Sequence, residues 1–173
     1  MALRTRARQR IGRIYHVAAP IKKHIENSVR GVRHAARIGC DAIDIDMQIT
    51  ADGRIVATHW GRPMIHDGFH DQAGKIRRYT PVSRLSFAQV RRLIAPGRYR
   101  IQPIERVLKA CARRHVVALL EPKGDPRFAH LTPWEHLAAV ADDLGCEVSV
   151  RALRQNAAAL APARTVGFQA WEI

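Results

Sequence analysis

Short apolar, extended segments alternate with helical ones from Ile14 to Ile173, and this alternation restricts the fold more than any other feature of the sequence. Ala42 to Thr50 (AIDIDMQIT) alternates apolar and polar residues with the period of a strand. Val116 to Leu120 (VVALL) is a continuous apolar run, as expected of a strand covered on both faces. Ile14 to Ala18, Val148 to Leu153 and Phe168 to Ile173 supply further strands. A helical pattern follows Asn27 through Val29, Val32, Ala35, Ala36 and Ile38, and Gly39 is placed to stop it. Further helices are expected over Ser86 to Leu93 with Ser86 as cap, over Pro103 to Arg114 with Pro103 in the first turn, over Thr132 to Leu144 with Thr132 at a capped start, and over Gln155 to Ala163. Ala51-Asp52-Gly53 is a turn signal, and Arg54 to Trp60 reads as an extended partner to the strand before it. Residues 61–85, rich in Gly, Pro, His and Asp, read as an inserted loop. Strands alternating with helices build βαβ units and a parallel sheet. The expectation is one α/β domain over residues 14–173, preceded by a basic arm at residues 1–13.

Length sharpens that expectation. The 173 residues are enough for one domain, whereas a closed (β/α)₈ barrel typically takes about 250. No apolar run reaches the ~20 residues of a membrane span, and no apolar stretch of signal-peptide type follows the basic N-terminus. Cys40, Cys111 and Cys146 stand far apart without a CxxC, so a disulfide framework or zinc–cysteine site is disfavoured and buried thiols in the cytoplasm are expected. Lys and Arg number 29 against 15 Asp and Glu, a net charge of +14. Such a surface suits an anionic partner: nucleic acid, acidic lipid headgroups or a phosphorylated small molecule. An arginine-rich composition without any such partner gives the same balance. There is no Walker loop, GxGxxG, GxSxG or RNA-binding aromatic signature.

Several residues could carry chemistry. Asp44 and Asp46 lie two apart on one strand and so share a face, while Ile43, Ile45 and Met47 point to the other. Paired carboxylates in a sheet interior need a proton, an arginine or a metal, and oxygen-only ligands suit Mg²⁺ or Ca²⁺. An exposed strand face with two solvated aspartates fits the same pattern. Glu121 and Lys123 repeat the two-residue spacing at the end of the VVALL strand. Glu121 could complete an oxygen site and Lys123 could meet a phosphate, or the two could form a local ion pair. His16 and His59 each end an extended segment and are candidates for an acid/base couple. His66, Asp67, His70 and Asp71 form a further cluster, but Gly68 between the histidines speaks against a zinc-binding helix and for a polar loop.

These signals fall in one order: His16, Glu26-Asn27-Ser28, a helix, Asp44-Ile45-Asp46, Thr50-Ala51-Asp52-Gly53, His59, and Glu121-Pro122-Lys123. The order and spacing resemble the glycerophosphodiester phosphodiesterase family, as does SRLSFAQVRRL followed by YRIQPIERVL. The resemblance implies a TIM-type (β/α) barrel, here incomplete with about five of eight strands. It also implies a divalent metal, Mg²⁺ or Ca²⁺, on Asp44, Asp46 and Glu121. His16 and His59 would be the acid/base pair, Lys123 would contact the phosphate, and Glu26 would be a polar residue near metal and substrate. The implied reaction converts a glycerophosphodiester to glycerol 3-phosphate and an alcohol.

The chain departs from the family pattern at three of these positions. Val17 stands where the family has an arginine that holds phosphate, which makes Arg62 a candidate substitute. Asp44 stands for a glutamate, and Trp60 for an aspartate. Two other functions fit part of the pattern. One is a sphingomyelinase D-like lipid phosphodiesterase. The other is a catalytically impaired barrel remnant that binds anions or nucleic acid through its basic surface. An open parallel edge after Ile173 could be closed by a homo-oligomer.

Overall fold

The structure, a computed structural model, describes residues 12–16, 27–95 and 99–173. Its centre is the strand β2 (Ala42–Ile49), buried at every position. The short strand β1 (Ile14–Tyr15) pairs parallel with the first residues of β2. Ser28 caps the intervening helix α1 (Val29–Arg37): its hydroxyl accepts from the Gly31 N–H at 3.0 Å. Asn27 precedes that helix, as expected, in a left-handed conformation (φ 52°). Gly39, also left-handed (φ 75°), ends the helix region.

The second half of β2 turns back through Thr50–Gly53 into an antiparallel strand, β3 (Ile55–Ala57). Thr50 Oγ1 donates to Asp52 at 2.6 Å, and Gly53 supplies the positive φ the turn needs (80°).

The stretch read as an inserted loop contains the one-turn helix α2 (Pro63–His66) and the strand β4 (His70–Asp71). Past it lie α3 (Phe87–Val90), β5 (Leu93–Ala95) and β6 (Tyr99–Arg100). Ser86 caps α3 in a reciprocal capping box with Gln89, but the helix stops at Val90 and Leu93 opens a strand. The strands β4, β5 and β6 form a small antiparallel sheet over its own core of Val56, Met64, Phe69, Val82, Leu85 and Leu93. The residues of 61–85 thus cover one flank of the main sheet.

The chain rejoins the main sheet through β7 (Gln102–Pro103), paired with β3. Pro103 is the cap residue of α4 (Ile104–Arg114), not part of its first turn. The next strand, β8 (Val117–Pro122), runs two residues further than VVALL and so includes Glu121. Helix α5 (Thr132–Leu144) has Leu131 at its cap position with no side-chain cap, so Thr132 is its first residue rather than its cap. After β9 (Val148–Ala152) comes a 3₁₀ turn (Arg154–Ala159), where an α-helix was expected from Gln155. The α-helix proper, α6, is confined to Leu160–Thr165. Strand β10 (Gln169–Glu172) closes the series.

In the sheet β1, β2, β8, β9 and β10 lie side by side, all parallel, in chain order. That is the strand order of a (β/α) barrel wall, and among the described residues the sheet does not close. One face packs under the helices: Ile43, Ile45 and Met47 of β2, Ala118 and Leu120 of β8, and Val150 of β9 meet Val32, Leu108, Trp134 and Leu137. Trp134 is fully buried, and its indole N–H donates to the Phe128 carbonyl at 2.8 Å. Replacing Trp134 with alanine is expected to cost about 3–5 kcal/mol, read as a lowered urea midpoint with an unchanged slope. No helix among the described residues is long and apolar enough to cross a membrane.

Candidate active site

The opposite face of the sheet carries the polar residues, because period-two alternation turns Asp44, Asp46 and Gln48 away from the helices. Register then brings strands together: Asp46 lies directly across from Glu121 in the parallel β2–β8 pair. Asp44, Asp46 and Glu121 are each at most 2% exposed, and each offers a carboxylate oxygen within 4.8 Å of the others. These buried acids are not solvated strand-face aspartates.

Cations hold them together. Lys123 Nζ lies 3.0 Å from Asp46 Oδ1 and also contacts Glu121 Oε1. Its backbone N–H donates to the Met47 carbonyl at 3.1 Å, which pins the residue beside β2. Arg151, on the inward face of β9, places Nη2 2.9 Å from Glu121 Oε2 and also contacts Asp44 Oδ2. His16 follows β1, and its Nε2 lies 3.3 Å from Asp44 Oδ2. Asn27 clasps Asp46 from the other side: Nδ2 donates to Oδ2 at 2.9 Å, and Oδ1 accepts the Asp46 backbone N–H at 2.7 Å.

His59 sits two residues beyond β3. The Thr58 N–H donates to the Asp46 carbonyl at 3.0 Å, and the Gln48 side chain donates to the His59 carbonyl at 3.2 Å. His59, Gln48 and Lys123 line one cleft of about 770 Å³, with Asn156 and the loop after β8 on its other side. Arg127 fixes that loop, donating to the carbonyls of Thr50 at 2.6 Å and Ile49 at 2.7 Å while pairing with Asp125.

Burial governs the protonation of this site. It pushes the Asp44 carboxyl up to about 7, with Asp46 and Glu121 adding to the shift and Arg151 opposing it. Burial lowers the His59 imidazole below its ordinary value, although Asp46 pulls the other way. Burial works against the Lys123 ammonium too, but Asp46 and Glu121 outweigh it and raise its pKa. Asp67 is raised to about 6 by burial and by Asp46.

Not every expected residue arrives here. Arg62 is an exposed residue at the start of α2, and the cleft lining passes from Gly61 to Ser83 without it. Its carbonyl accepts from Ile65 at 3.1 Å, and it serves as the cap residue of α2. Glu26 and Val17 lie outside the described residues. His66, Asp67, His70 and Asp71 do not converge. His66 stacks against Trp60 at 4.6 Å, and Asp71 accepts from the backbone of Ala73, Lys75 and Ile76.

Arg151 and the side chain of Asn27 are additions that the sequence reading missed. A charged residue alternating with Val148, Val150 and Ala152 in a covered strand was the available signal for Arg151. The basic charge gathers elsewhere as well. Arg33, Arg113 and Arg114, with neighbours on α1 and α4, line clefts that share no residue with the carboxylate cleft.

Fold and site together define a barrel-type α/β protein with a buried cluster of three carboxylates on the inward face of its parallel strands. The chain belongs to the glycerophosphoryl diester phosphodiesterase family, whose sequence model matches residues 19–173. Its fold is similar to a glycerophosphodiester phosphodiesterase from Parabacteroides distasonis, with a TM-score of 0.66 and 14% identity over 84% of this chain and 57% of that one. One from Agrobacterium tumefaciens gives 0.61 and 17% over 85% and 60%. An Oleispira antarctica phosphodiesterase in complex with the product sn-glycerol-3-phosphate gives 0.69 and 14% over 94% and 65%. The chain thus spans 57–65% of the length of these solved relatives. None of the curated proteins matches it.

Proposed function

We propose that the chain carries the catalytic centre of a metal-dependent phosphodiesterase that hydrolyses glycerophosphodiesters to glycerol 3-phosphate and an alcohol. The observation that carries this reading is the convergence of Asp44, Asp46 and Glu121 beside His16, with His59 and Lys123 on one cleft. The donor set fits a hard divalent cation, Mg²⁺ or Ca²⁺: it is all oxygen, and the buried Asp44 Oδ1 finds no hydrogen-bond partner among the described residues. Lys123 and Arg151 leave one of the three carboxylates uncompensated. A divalent cation would offset the negative charge of the cluster and let the site accept a phosphodiester monoanion.

A cation held by Asp44, Asp46 and Glu121 would lower the pKa of a substrate hydroxyl and offset charge on the phosphoryl oxygens. The protein's own groups do the rest. His59, kept neutral by burial, accepts the proton of the substrate hydroxyl that attacks phosphorus. His16, beside Asp44, donates a proton to the departing alcohol oxygen as its bond to phosphorus breaks. Water then opens the cyclic phosphate with the two roles exchanged. Lys123 supplies a fixed positive charge to the phosphate.

The test is hydrolysis of glycerophosphocholine by purified protein with Mg²⁺ or Ca²⁺ and with EDTA. Choline release that EDTA abolishes supports the reading. Inactivity in both metals, with His16→Ala and His59→Ala indistinguishable from wild type, sinks it. Choline lysophospholipids as substrates separate a sphingomyelinase D-like activity.

The Asp44 carboxyl gives a pH prediction. Its pKa is about 7 in the fold against 3.8 for the ordinary group, so without metal the folded state holds an extra proton between these values. The contribution of Asp44 to metal-free stability therefore falls as pH rises from about 4 to 7. Cation binding at pH 6 should release this proton, and binding at pH 8 should not. Calorimetry in two buffers of different ionisation enthalpy reads the difference, and equal proton release at both pH values contradicts it.

A further inference from the structure

Arg151 occupies an unexpected place. Its Nη2 bridges Asp44 and Glu121, two members of the carboxylate cluster, from the neighbouring strand β9. The side chain is only 13% exposed, and its Nε has no hydrogen-bond partner among the described residues. Nothing but the two carboxylates holds the guanidinium by a polar contact among those residues. Lys123 bridges the other pair, Asp46 and Glu121. Every carboxylate of the cluster is thus already engaged by a side-chain cation.

A guanidinium nitrogen between two carboxylates sits where a small divalent cation would draw the same oxygens together. The two cannot both be held: a metal ligated by Asp44 and Glu121 would stand in direct repulsive contact with Arg151. Lys123 differs, because it meets the other carboxylate oxygen of Glu121 and has no contact with Asp44. Arg151 has one close polar anchor, the pair of carboxylates, and a long flexible stem that can turn toward the open cleft lined by Leu153 and Asn156.

We propose that Arg151 is an exchangeable internal counter-ion: it closes the carboxylate cluster when no metal is bound, and divalent cations enter by displacing its guanidinium from Asp44 and Glu121. The inference rests on the metal-site reading above and goes beyond it. It makes metal affinity a competition set by a residue of β9. It also makes the metal-free site a folded state whose carboxylates are bridged by cations rather than a set of unpaired, repelling acids. Arg151 is a positioning residue in this scheme, since it acts through the carboxylates.

The experiment is calorimetric titration of Mg²⁺ and Ca²⁺ into the whole protein at pH 8, for wild type, Arg151→Met and Arg151→Lys, with thermal melts in EDTA and at saturating metal. Arg151→Met keeps the apolar stem and removes the charge. It should bind metal about tenfold or more tighter than wild type, the scale expected when a like charge leaves a half-screened pocket. Its melting temperature should fall in EDTA and recover at saturating metal. Arg151→Lys keeps a charge that can meet only one carboxylate well, so it should fold like wild type and bind metal with intermediate affinity.

Wild type that binds metal while both variants bind equally or more weakly overturns the proposal and leaves the metal site standing, with Arg151 as an organiser of the ligands. Absence of Mg²⁺ and Ca²⁺ binding in all three proteins overturns both. Binding gained only on loss of the arginine is its strongest support.

Discussion

Substituting asparagine for Asp46 is expected to remove measurable Mg²⁺ or Ca²⁺ binding and to lower glycerophosphodiester hydrolysis by roughly 10³-fold. Asp46 is the most engaged carboxylate of the cluster. Its Oδ1 lies 3.0 Å from Lys123, its Oδ2 accepts from Asn27 at 2.9 Å, and its backbone N–H returns to Asn27 at 2.7 Å. An amide of the same shape offers one acceptor where the carboxylate offers two. Either Lys123 or Asn27 then loses its bond, and the cluster loses a negative ligand in a pocket that water cannot rescreen. The backbone bond to Asn27 survives, so far-UV circular dichroism should be unchanged. Isothermal titration and a choline-release assay read the two effects. A variant that still binds metal like wild type would show that the carboxylates are a structural ion-pair network only.

Removal of either histidine is the second large effect. His59→Ala and His16→Ala should each lower kcat/KM by about 10²–10⁴-fold while leaving metal affinity within a few-fold. Neither belongs to the proposed ligand set, and loss of a proton-transfer group is felt in the transition state. The pH profile separates them. Burial lowers the His59 pKa from 6.5, so the fraction in the neutral, proton-accepting form stays high until pH drops below that value. The acidic limb of kcat/KM should therefore fall below pH 6.5 and disappear with His59→Ala. An acidic limb unchanged in that variant would reassign the base. Asp67, raised to about 6 by burial and Asp46, is the group such a result would bring forward.

The parts of the site differ in how far local sequence could reveal them. Asp44 and Asp46 were legible as a pair because strand geometry alone puts alternate residues on one face. Their burial was not, since an exposed strand has the same period. Glu121 and Lys123 were legible as a spaced pair, but their meeting with β2 depends on Asp46 lying opposite Glu121, a pairing of residues far apart in the chain. Arg151 shows the limit. Its alternation with Val150 and Ala152 marks it as facing away from the helices, yet nothing local says that acids await it there. Asn27 was legible as the approach to a helix, but nothing local says that its side chain meets Asp46. Arg62 is the converse case: three positions after His59 in sequence, it is an exposed residue outside the lining of the cleft.

The insert followed the same rule. Residues 61–85 have loop composition, and two-residue strands carry no readable period. They gain order from β5 and from a small core that includes Val56 of the main sheet.

What the sequence by itself determined is the alternation of strands and helices, the face on which each candidate side chain lies, and the ordered motif set that the family shares. These follow from periodicities of two and 3.6 residues, which act over a few positions. Only the tertiary structure decided which strands stand together, which acids are buried, and which cations reach them. Strand register and burial are properties of pairs distant in the chain: Arg151 meets Asp44 across 107 positions, and a one-residue slip of β9 would turn it under the helices instead.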